Sequence, residues 1–546
     1  MSEHLAIEPS AQRGGRMSTL TGTRHLVRLI LRRDRVLLPL WVLVLAVLPA
    51  SYAASFFELF PTAAGRAAYA AGTARNPSIV ALLGPVYGDS IGALTAQRGG
   101  FLLVVIALAS LLTVIRHTRT EEEAGRRELL GGTVLGRYAG LTAALLVTYA
   151  ADLLLGLLTA AGLVSTGLPA AGSFAYGLAA ALTGVVFATI GGLAAQLTET
   201  AGGARGIAIA VLGAAFGLRL AGDAATHDWP SWLSPLGWAP RVRVYEVERW
   251  WVLALPPAVA ALLAAVAYPV SVRRDLGAGL LPPRLGPATA GRALSGSFGL
   301  AWRLHRGQIL WWSVGFGLLG LILGGAAQAA GRSVEGNPQL EEIMARIGGA
   351  TGLAEAYLGA TLSLAGLAAA GYGVQAALRM RAEEAAGRTE PLLATGTHRS
   401  TWLLSHVVFA LLGPVVVLAV TGFATGLTYG LSVHDVPGEL SRLVGAGLAQ
   451  VPAAWVLAGF AVLLYGLLPR LAPVAWAGLA VCLLLGQLGA VLKLRQWLLD
   501  VSPFTHTPQV LREHWSATPL YALAVIALLM ALAGLAAFRR RDVPTT

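Results

Sequence analysis

One short charged stretch occurs twice in this sequence. It reads Glu-Glu-Glu-Ala-Gly-Arg-Arg-Glu over residues 121–128 and Glu-Glu-Ala-Ala-Gly-Arg-Thr-Glu over residues 383–390. The same offset aligns three further pairs: Arg119 with Arg381, Thr133 with Thr395, and Arg137 with Arg399. Because polar residues return in the same order, the pattern predicts a tandem duplication of one structural unit.

Other polar landmarks extend the repeat along the whole chain. They are Asn76-Pro77 with Asn337-Pro338, Ser234-Pro235 with Ser502-Pro503, and Arg273-Arg274-Asp275 with Arg540-Arg541-Asp542. We therefore expect an N-terminal basic segment over 1–35, a first half over 36–275, a linker over 276–296 and a second half over 297–546.

The composition is that of a membrane protein. Of the 546 residues 56% are hydrophobic and only 12% are charged, against about 25% charged in ordinary soluble domains. Apolar runs of 18 or more residues indicate spanning helices and exclude a soluble enzyme. The predicted fold is all-α and polytopic, with six spans in each half. The twelve predicted spans are 36–57, 98–116, 138–164, 171–196, 204–222, 251–272, 308–328, 353–378, 402–431, 443–467, 470–493 and 518–538.

The placement of positive charge predicts the orientation. With the N-terminus inside, the cytoplasmic segments contain 27 of the 40 Lys and Arg residues. This excess follows the positive-inside rule, so we expect both termini in the cytoplasm of a cell-membrane protein. The net charge of +12 is then explained by orientation and anionic lipid, and no nucleic-acid partner is expected. Two halves of six spans should keep the same orientation and pack as a pseudo-dimer.

Sequence signatures of catalysis are missing. The one lysine, Lys493, has no glycine-rich phosphate loop before it, so the chain has no Walker A motif. The one cysteine, Cys482, cannot form an internal disulfide or a thiolate cluster. Six histidines occur singly, and we interpret them as surface or interfacial side chains: His117, His305, His398, His406, His434 and His506. We therefore expect no catalytic residue, no metal site and no cofactor in this chain.

The repeated stretch has the features of a short charged helix on the cytoplasmic surface. Thr120 and Glu123 fit a capping box, and the spacing allows three i, i+4 pairs: Glu122 with Arg126, Glu123 with Arg127, and Glu384 with Arg388. One interpretation is a solvated connector whose arginines contact lipid phosphates. The glutamates favour the other interpretation, a docking site for a soluble partner.

With these motifs the chain resembles an ABC-2 type permease, and its duplication resembles the fused actinobacterial exporters of polyketide or tetronasin-type antibiotics. The resemblance implies coupling helices at 119–131 and 381–393, each docking one copy of a separate ATP-binding subunit that carries ATP and Mg²⁺. It also implies a hydrophobic or amphipathic small-molecule cargo. The matching docking residues are Glu121, Glu122, Gly125, Arg126, Glu128, Glu383, Glu384, Gly387, Arg388 and Glu390. Pro391 replaces Leu129 in the second copy, so the two sites need not be equivalent.

A few residues are candidates for the substrate path. Asp152 lies mid-span, where a carboxylate costs about 2.5–3.5 kcal/mol on insertion scales; an interhelical hydrogen bond is the other interpretation. Trp238 and Trp250 belong to an aromatic outer segment that also fits an interfacial belt. Small residues such as Gly184, Gly191 and Gly192 permit close helix approach at a path between the halves. Arg219 and Asp223 are expected to form an interfacial pair.

Three other functions remain open at this point. A proton-coupled secondary transporter of the major facilitator type is also built from two six-span halves. It fits less well because the Glu-rich loop lacks that family's Asp-Arg pattern and acids within the spans are scarce. A membrane-embedded enzyme would need a polar catalytic loop that the sequence does not contain. A permease acting as a signalling or lipid-organising partner is the third alternative.

Overall fold

The structure of the protein is a computed structural model. It describes residues 19–74, 77–126, 128, 135–224, 228–275, 277–281, 288–289, 291, 294, 296–332, 349–488, 495–508 and 516–542. All regular secondary structure in these ranges is helical. The chain divides into two compact units, Met1–Leu285 and Gly286–Thr546. Their boundary lies inside the expected linker 276–296, while the assignment of six spans to each half stays a prediction.

The first unit contains long apolar helices joined by short ones. Its α-helices are α1 Thr23–Arg33, α2 Leu37–Leu59, α3 Ala63–Ala74, α4 Pro77–Leu83, α5 Ile91–Arg98, α6 Leu102–His117, α7 Arg119–Glu123, α8 Ala139–Ser165, α9 Ala170–Leu197, α10 Ala201–Ala224, α11 Trp229–Trp232, α12 Pro235–Arg241 and α13 Leu255–Arg273. A 3₁₀ helix, Trp250–Ala254, precedes α13.

The second unit also contains long apolar helices joined by short ones. Its α-helices are α14 Ser297–Arg332, α15 Gly349–Ala385, α16 Thr389–Ala394, α17 Arg399–Val433, α18 Val436–Leu448, α19 Val451–Leu467, α20 Ala475–Leu488, α21 Gln496–Leu499 and α22 Thr518–Arg540. Two 3₁₀ helices, Ala472–Val474 and Pro503–His506, lie before α20 and after α21.

The described residues contain 11 helices that are long and apolar enough to cross a membrane. They are Leu37–Leu59, Leu102–Glu123, Ala139–Ser165, Ala170–Leu197, Ala201–Asp223, Trp250–Arg273, Ser297–Gly325, Tyr357–Ala385, Arg399–Val433, Val436–Leu467 and Thr518–Arg540. Each overlaps a predicted span, although Ser297–Gly325 begins 11 residues before the predicted start at 308. The remaining predicted span, 470–493, contains the shorter apolar helix Ala472–Gly486. Residues 489–493 of this span lie outside the described residues, so its full length stays a prediction.

Glycines allow the helices of the first unit to pack closely around α9. A Cβ atom on Gly184 would lie 2.4 Å from Asp152 Oδ1 in α8, and one on Gly191 would lie 2.7 Å from the Leu111 carbonyl oxygen in α6. The carbon would collide in both places, so only glycine fits there. These residues pack inside the first unit, which differs from the expectation that they line a path between the halves.

Candidate functional site: the repeated acidic motif

The first motif, residues 119–128, continues a spanning helix. After α6, only Thr118 departs from helical geometry before α7 begins. The chain is already helical where it reaches α7, so α7 has no free N-terminus for a capping box. The predicted capping box of Thr120 and Glu123 is therefore wrong. Thr120 instead donates a hydrogen bond to the Ile115 carbonyl oxygen (3.3 Å). Glu123 Oε2 accepts one from the Ala201 amide (2.8 Å), which satisfies a free N–H group in the first turn of α10.

Glu122 lies at the centre of a buried ion cluster that we call the first clamp. Its side chain is 1% exposed, and the Arg274 guanidinium donates one hydrogen bond to each of its carboxylate oxygens, both at 2.9 Å. Arg119 Nη1 lies 2.7 Å from Glu122 Oε2. Arg274 Nε also donates to Gln196 Oε1 at 2.8 Å. The first clamp therefore joins α7 to the ends of α13 and α9.

Glu384 forms the second clamp with the same geometry. Arg541 Nη1 and Nη2 lie 2.8 and 2.6 Å from its two carboxylate oxygens. The Tyr465 hydroxyl donates to Glu384 Oε2 at 2.6 Å, and the Arg541 guanidinium lies 5.0 Å from the Tyr465 ring centre. Burial lowers the pKa of Arg541, but its hydrogen bonds with Glu384 raise it, and the net shift is upward. This clamp joins the end of α15 to the end of α22 and to α19.

The expected i, i+4 pairs Glu122–Arg126 and Glu384–Arg388 are not formed, and the third, Glu123–Arg127, involves Arg127, which lies outside the described residues. Arg126 pairs with Glu121 (Nε to Oε2, 2.7 Å) and Arg388 with Glu383 (2.7 Å), each five residues apart. The physical reason is the glycine between them. Gly125 and Gly387 both adopt φ +68°, a left-handed conformation that ends the helix. The chain turns back there, so each arginine reaches the glutamate five residues before it instead of the one four residues before it. Glu121 also pairs with Arg33, the last residue of the amphipathic α1.

The two motifs also share an exposed portion. Arg126, Glu128, Arg388 and Glu390 are all exposed. The hydrogen bonds of Glu121 raise the pKa of Arg126. Pro391 lies in the first turn of α16, where proline is tolerated. The expected coupling segment of the first copy runs on through residues 129–131, which lie outside the described residues. The docking role of the motif residues stays a prediction.

The clamp arginines and Tyr465 were not among the sequence candidates. In the sequence, Arg274 and Arg541 are recognisable only as members of the matching charged clusters at the ends of the two halves. The repeat contains a signal for the two arginines. A basic residue recurs at the end of each half, just as the buried glutamate recurs in each motif. The histidine interpretation also needs correction, since His117, His305 and His406 are buried. His117 Nε2 lies 2.6 Å from Asp34 Oδ2, and His305 Nε2 lies 3.0 Å from His406 Nδ1.

The expected pair of Arg219 and Asp223 is present but not interfacial. Arg219 Nε lies 3.1 Å from Asp223 Oδ2, and both side chains are 0% exposed, so the pair is buried. Arg241 Nη1 lies 3.2 Å from Asp223 Oδ1, and one buried carboxylate therefore pairs with two arginines.

The three substrate-path candidates lie in different surroundings. Asp152 is fully buried and accepts a hydrogen bond from Ser110 Oγ at 2.7 Å, which links α8 to α6. Trp238 is buried in α12 and donates to the Trp232 carbonyl oxygen at 2.7 Å. Trp250 is 48% exposed. Among the described residues no hydrogen bond, ion pair or ring contact joins the three, and their role in a path stays a prediction. In the same ranges, no group of three or more His, Cys, Asp or Glu side chains is arranged to hold a metal ion.

Comparison with known proteins finds relatives over nearly the whole length. Residues 294–539 match the family model of the multidrug efflux system permease Rv1217c, C-terminal domain. The chain is also 46% identical over 530 residues to the multidrug efflux system permease protein Rv1217c of Mycobacterium tuberculosis (strain ATCC 25618 / H37Rv). That match covers 97% of this chain and 96% of the relative.

Proposed function

Because the chain belongs to the family of the multidrug efflux system permease Rv1217c, we propose that it is the membrane-spanning permease subunit of an ABC exporter. It is a multi-pass protein of the cell membrane, with 11 apolar helices of spanning length in its described residues. Its cargo is a hydrophobic or amphipathic small molecule of the antibiotic or drug-like class. Two copies of a separate ATP-binding subunit supply the energy and hold ATP and Mg²⁺. The duplicated sequence supports a pseudo-dimer of halves with both termini in the cytoplasm.

The repeated clamp carries this proposal. Each motif combines exposed charges with one buried glutamate that is ion-paired to the end of the last helix of its unit. Removing one partner of a buried pair costs about 3–5 kcal/mol. When a bound partner displaces the exposed part of the motif, the ion pair therefore transmits the displacement to α13 or α22, and the motif does not simply bend away from that helix. A solvated connector has no need of such an anchor, and this favours the docking interpretation.

ATP supplies the driving force only if the partner prefers one state of the permease. A ligand shifts a conformational equilibrium by its difference in affinity for the two states. We infer that the ATP-binding subunits, on closing, favour one position of the motifs. The clamps then carry that preference to the last helix of each half. Asp152, Trp238 and Trp250 are kept as candidate contacts for cargo along the path.

Docking is tested at exposed residues, since a change at Glu122 or Glu384 would also break a clamp. We expect Glu128→Arg combined with Glu390→Arg to weaken co-purification of the ATP-binding subunit at least several-fold. Reversed charges at an interface lower the association rate and change its salt dependence. Glu58→Arg is the matched control, because Glu58 is also exposed but lies near the end of α2, outside the repeated motif. Full retention of the partner by the double variant refutes the docking assignment.

The energy source is tested in inverted membrane vesicles that contain the chain and its candidate ATP-binding subunit. Uptake of a fluorescent lipophilic cation is measured with ATP and a collapsed proton gradient, and then with a gradient and no ATP. We expect uptake only in the first condition, and only when both subunits are present. Uptake driven by the gradient alone would transfer the chain to the secondary-transporter class.

A further inference from the structure

A row of exposed arginines runs along α1, the helix that precedes the first helix of spanning length. Arg24, Arg28 and Arg32 lie four residues apart, so they share one face of α1, and all three are exposed. Arg35, also exposed, follows directly after the helix. We call these four residues the basic stripe. Within the part of the chain that the structure describes, none of them forms an ion pair. Like charges at this spacing repel and destabilise a helix, so the stripe favours an anionic partner.

The opposite face of α1 packs against the protein, and this fixes the direction in which the basic stripe points. Ile30 is 8% exposed and belongs to a hydrophobic cluster with Val114 of α6 and Leu141 of α8. Leu26 and Val27, on the same side of α1, are partly buried against that cluster. The stripe therefore points away from the helices of its unit.

The end of α1 is tied to the first motif by other charged side chains. Arg33 pairs with Glu121. Asp34 Oδ1 lies 3.0 Å from Arg116 Nη2, and Asp34 Oδ2 lies 2.6 Å from His117 Nε2. Partners in α6 and α7 thus balance the charges of Arg33 and Asp34, whereas the four positive charges of the basic stripe stay unbalanced. Whatever holds α1 in place also holds the start of the first motif.

The surroundings of the basic stripe are those of a membrane surface. α2, a helix of spanning length, begins at Leu37, two residues after Arg35. Leu29 and Leu31 flank the stripe and are 50% and 47% exposed, and Val36 beyond it is 70% exposed. A basic face with exposed apolar neighbours, directly before a span, is typical of segments that bind anionic lipid. A soluble partner would have to bring acidic groups this close to the bilayer core, whereas anionic phospholipids supply them there.

We propose that the basic stripe binds the phosphate headgroups of anionic phospholipids in the cytoplasmic leaflet. Each guanidinium offers several N–H donors to phosphate oxygens, and bound lipid fixes α1, and with it the first motif, at the membrane surface. The inference rests on the proposed cytoplasmic position of the N-terminus, but on neither an ATP-binding subunit nor a cargo. The co-purification and uptake tests above can therefore fail while this inference holds, and the reverse.

The test uses the purified full chain, without an ATP-binding subunit, in vesicles of equal parts phosphatidylglycerol and phosphatidylcholine. After extraction in a mild nonionic detergent, the two lipids that stay bound are quantified by mass spectrometry. We expect phosphatidylglycerol to be enriched in the wild type, and the enrichment to fall at high salt because salt screens exposed charges. Arg24→Gln combined with Arg28→Gln should lower the enrichment several-fold. Arg24→Lys combined with Arg28→Lys preserves the charge and should retain most of it.

Arg539→Gln combined with Arg540→Gln is the matched control, because these arginines are also exposed and end a helix of spanning length outside α1. It removes the same charge and should leave the enrichment nearly unchanged. Arg28→Gln alone keeps the test informative if the double variant inserts in another orientation, which labelling of a C-terminal tag in intact cells reveals. No enrichment in the wild type, or an equal loss in the control, overturns the proposal. Unchanged enrichment in the Arg24 and Arg28 double variant, with loss of a co-purified ATP-binding subunit, also overturns it and assigns the stripe to protein docking.

Discussion

The second clamp makes a prediction that is worked from its geometry. Arg541→Met removes two hydrogen bonds to Glu384 and the contact of the guanidinium with the Tyr465 ring. Breaking a fully buried pair costs about 3–5 kcal/mol. The Arg541 side chain is 15% exposed, so the remaining carboxylate gains some hydration and we expect a loss of about 2–3 kcal/mol. The melting temperature should fall by about 4–12 °C, at about 2–4 °C for each kcal/mol.

A double-mutant cycle isolates the pair itself. Unfolding of the purified chain is followed for Arg541→Met, Glu384→Gln and the double variant. Contacting residues in one ion network usually show coupling energies of 0.5–3 kcal/mol, and we expect about 2 kcal/mol here. The matched control is Arg540→Met, a neighbouring arginine that is exposed and should show no coupling to Glu384. A coupling energy below about 0.5 kcal/mol would refute the clamp as a stabilising connection.

Three further predictions follow from described contacts. Glu122→Gln should destabilise the chain more than Glu384→Gln, as measured by thermal unfolding, because it leaves two buried arginines facing a neutral group instead of one; equal losses would contradict this. Gly184→Ala should cost about 1–3 kcal/mol of unfolding free energy by overpacking against Asp152, and Asp152→Ala in the same chain should recover part of that loss; simple additivity would argue against the contact. Burial raises the pKa of Tyr245 from 10.0 to about 12, so its contribution to stability is complete below pH 10 and is lost between pH 10 and 12. Tyr245→Phe should lack that part of the alkaline decline, and an unchanged pH profile would exclude it.

Much of the fold was predictable from the sequence because hydropathy measures what a helix needs in order to cross a bilayer. It located the 11 long apolar helices. It did not reveal the 3₁₀ turn near the start of the predicted span 470–493, because an apolar run does not show where a helix begins. The 3₁₀ turn Ala472–Val474 contains Pro473 and uses three residues of the apolar run before α20 begins.

The candidate site was predictable in position but not in its contacts. Local spacing relates only residues on neighbouring turns, and it paired Glu122 with Arg126. The structure pairs Glu122 with Arg274, which is 152 residues away, and Glu384 with Arg541, which is 157 away. Tertiary packing decides such partners. The repeat contained a clue to them, since an acidic and a basic landmark recur in both halves, but charge patterns alone do not show which landmarks meet.

The two clamps hold equivalent carboxylates with different neighbours. In one, a second arginine and a glutamine complete the cluster; in the other, a tyrosine does so. A homodimer receives every inherited substitution at both symmetry-related positions at once. In a fused gene, a substitution at Arg274 leaves Arg541 untouched. Substitutions can therefore accumulate separately in each half, and one that loosens one clamp leaves the other clamp in place.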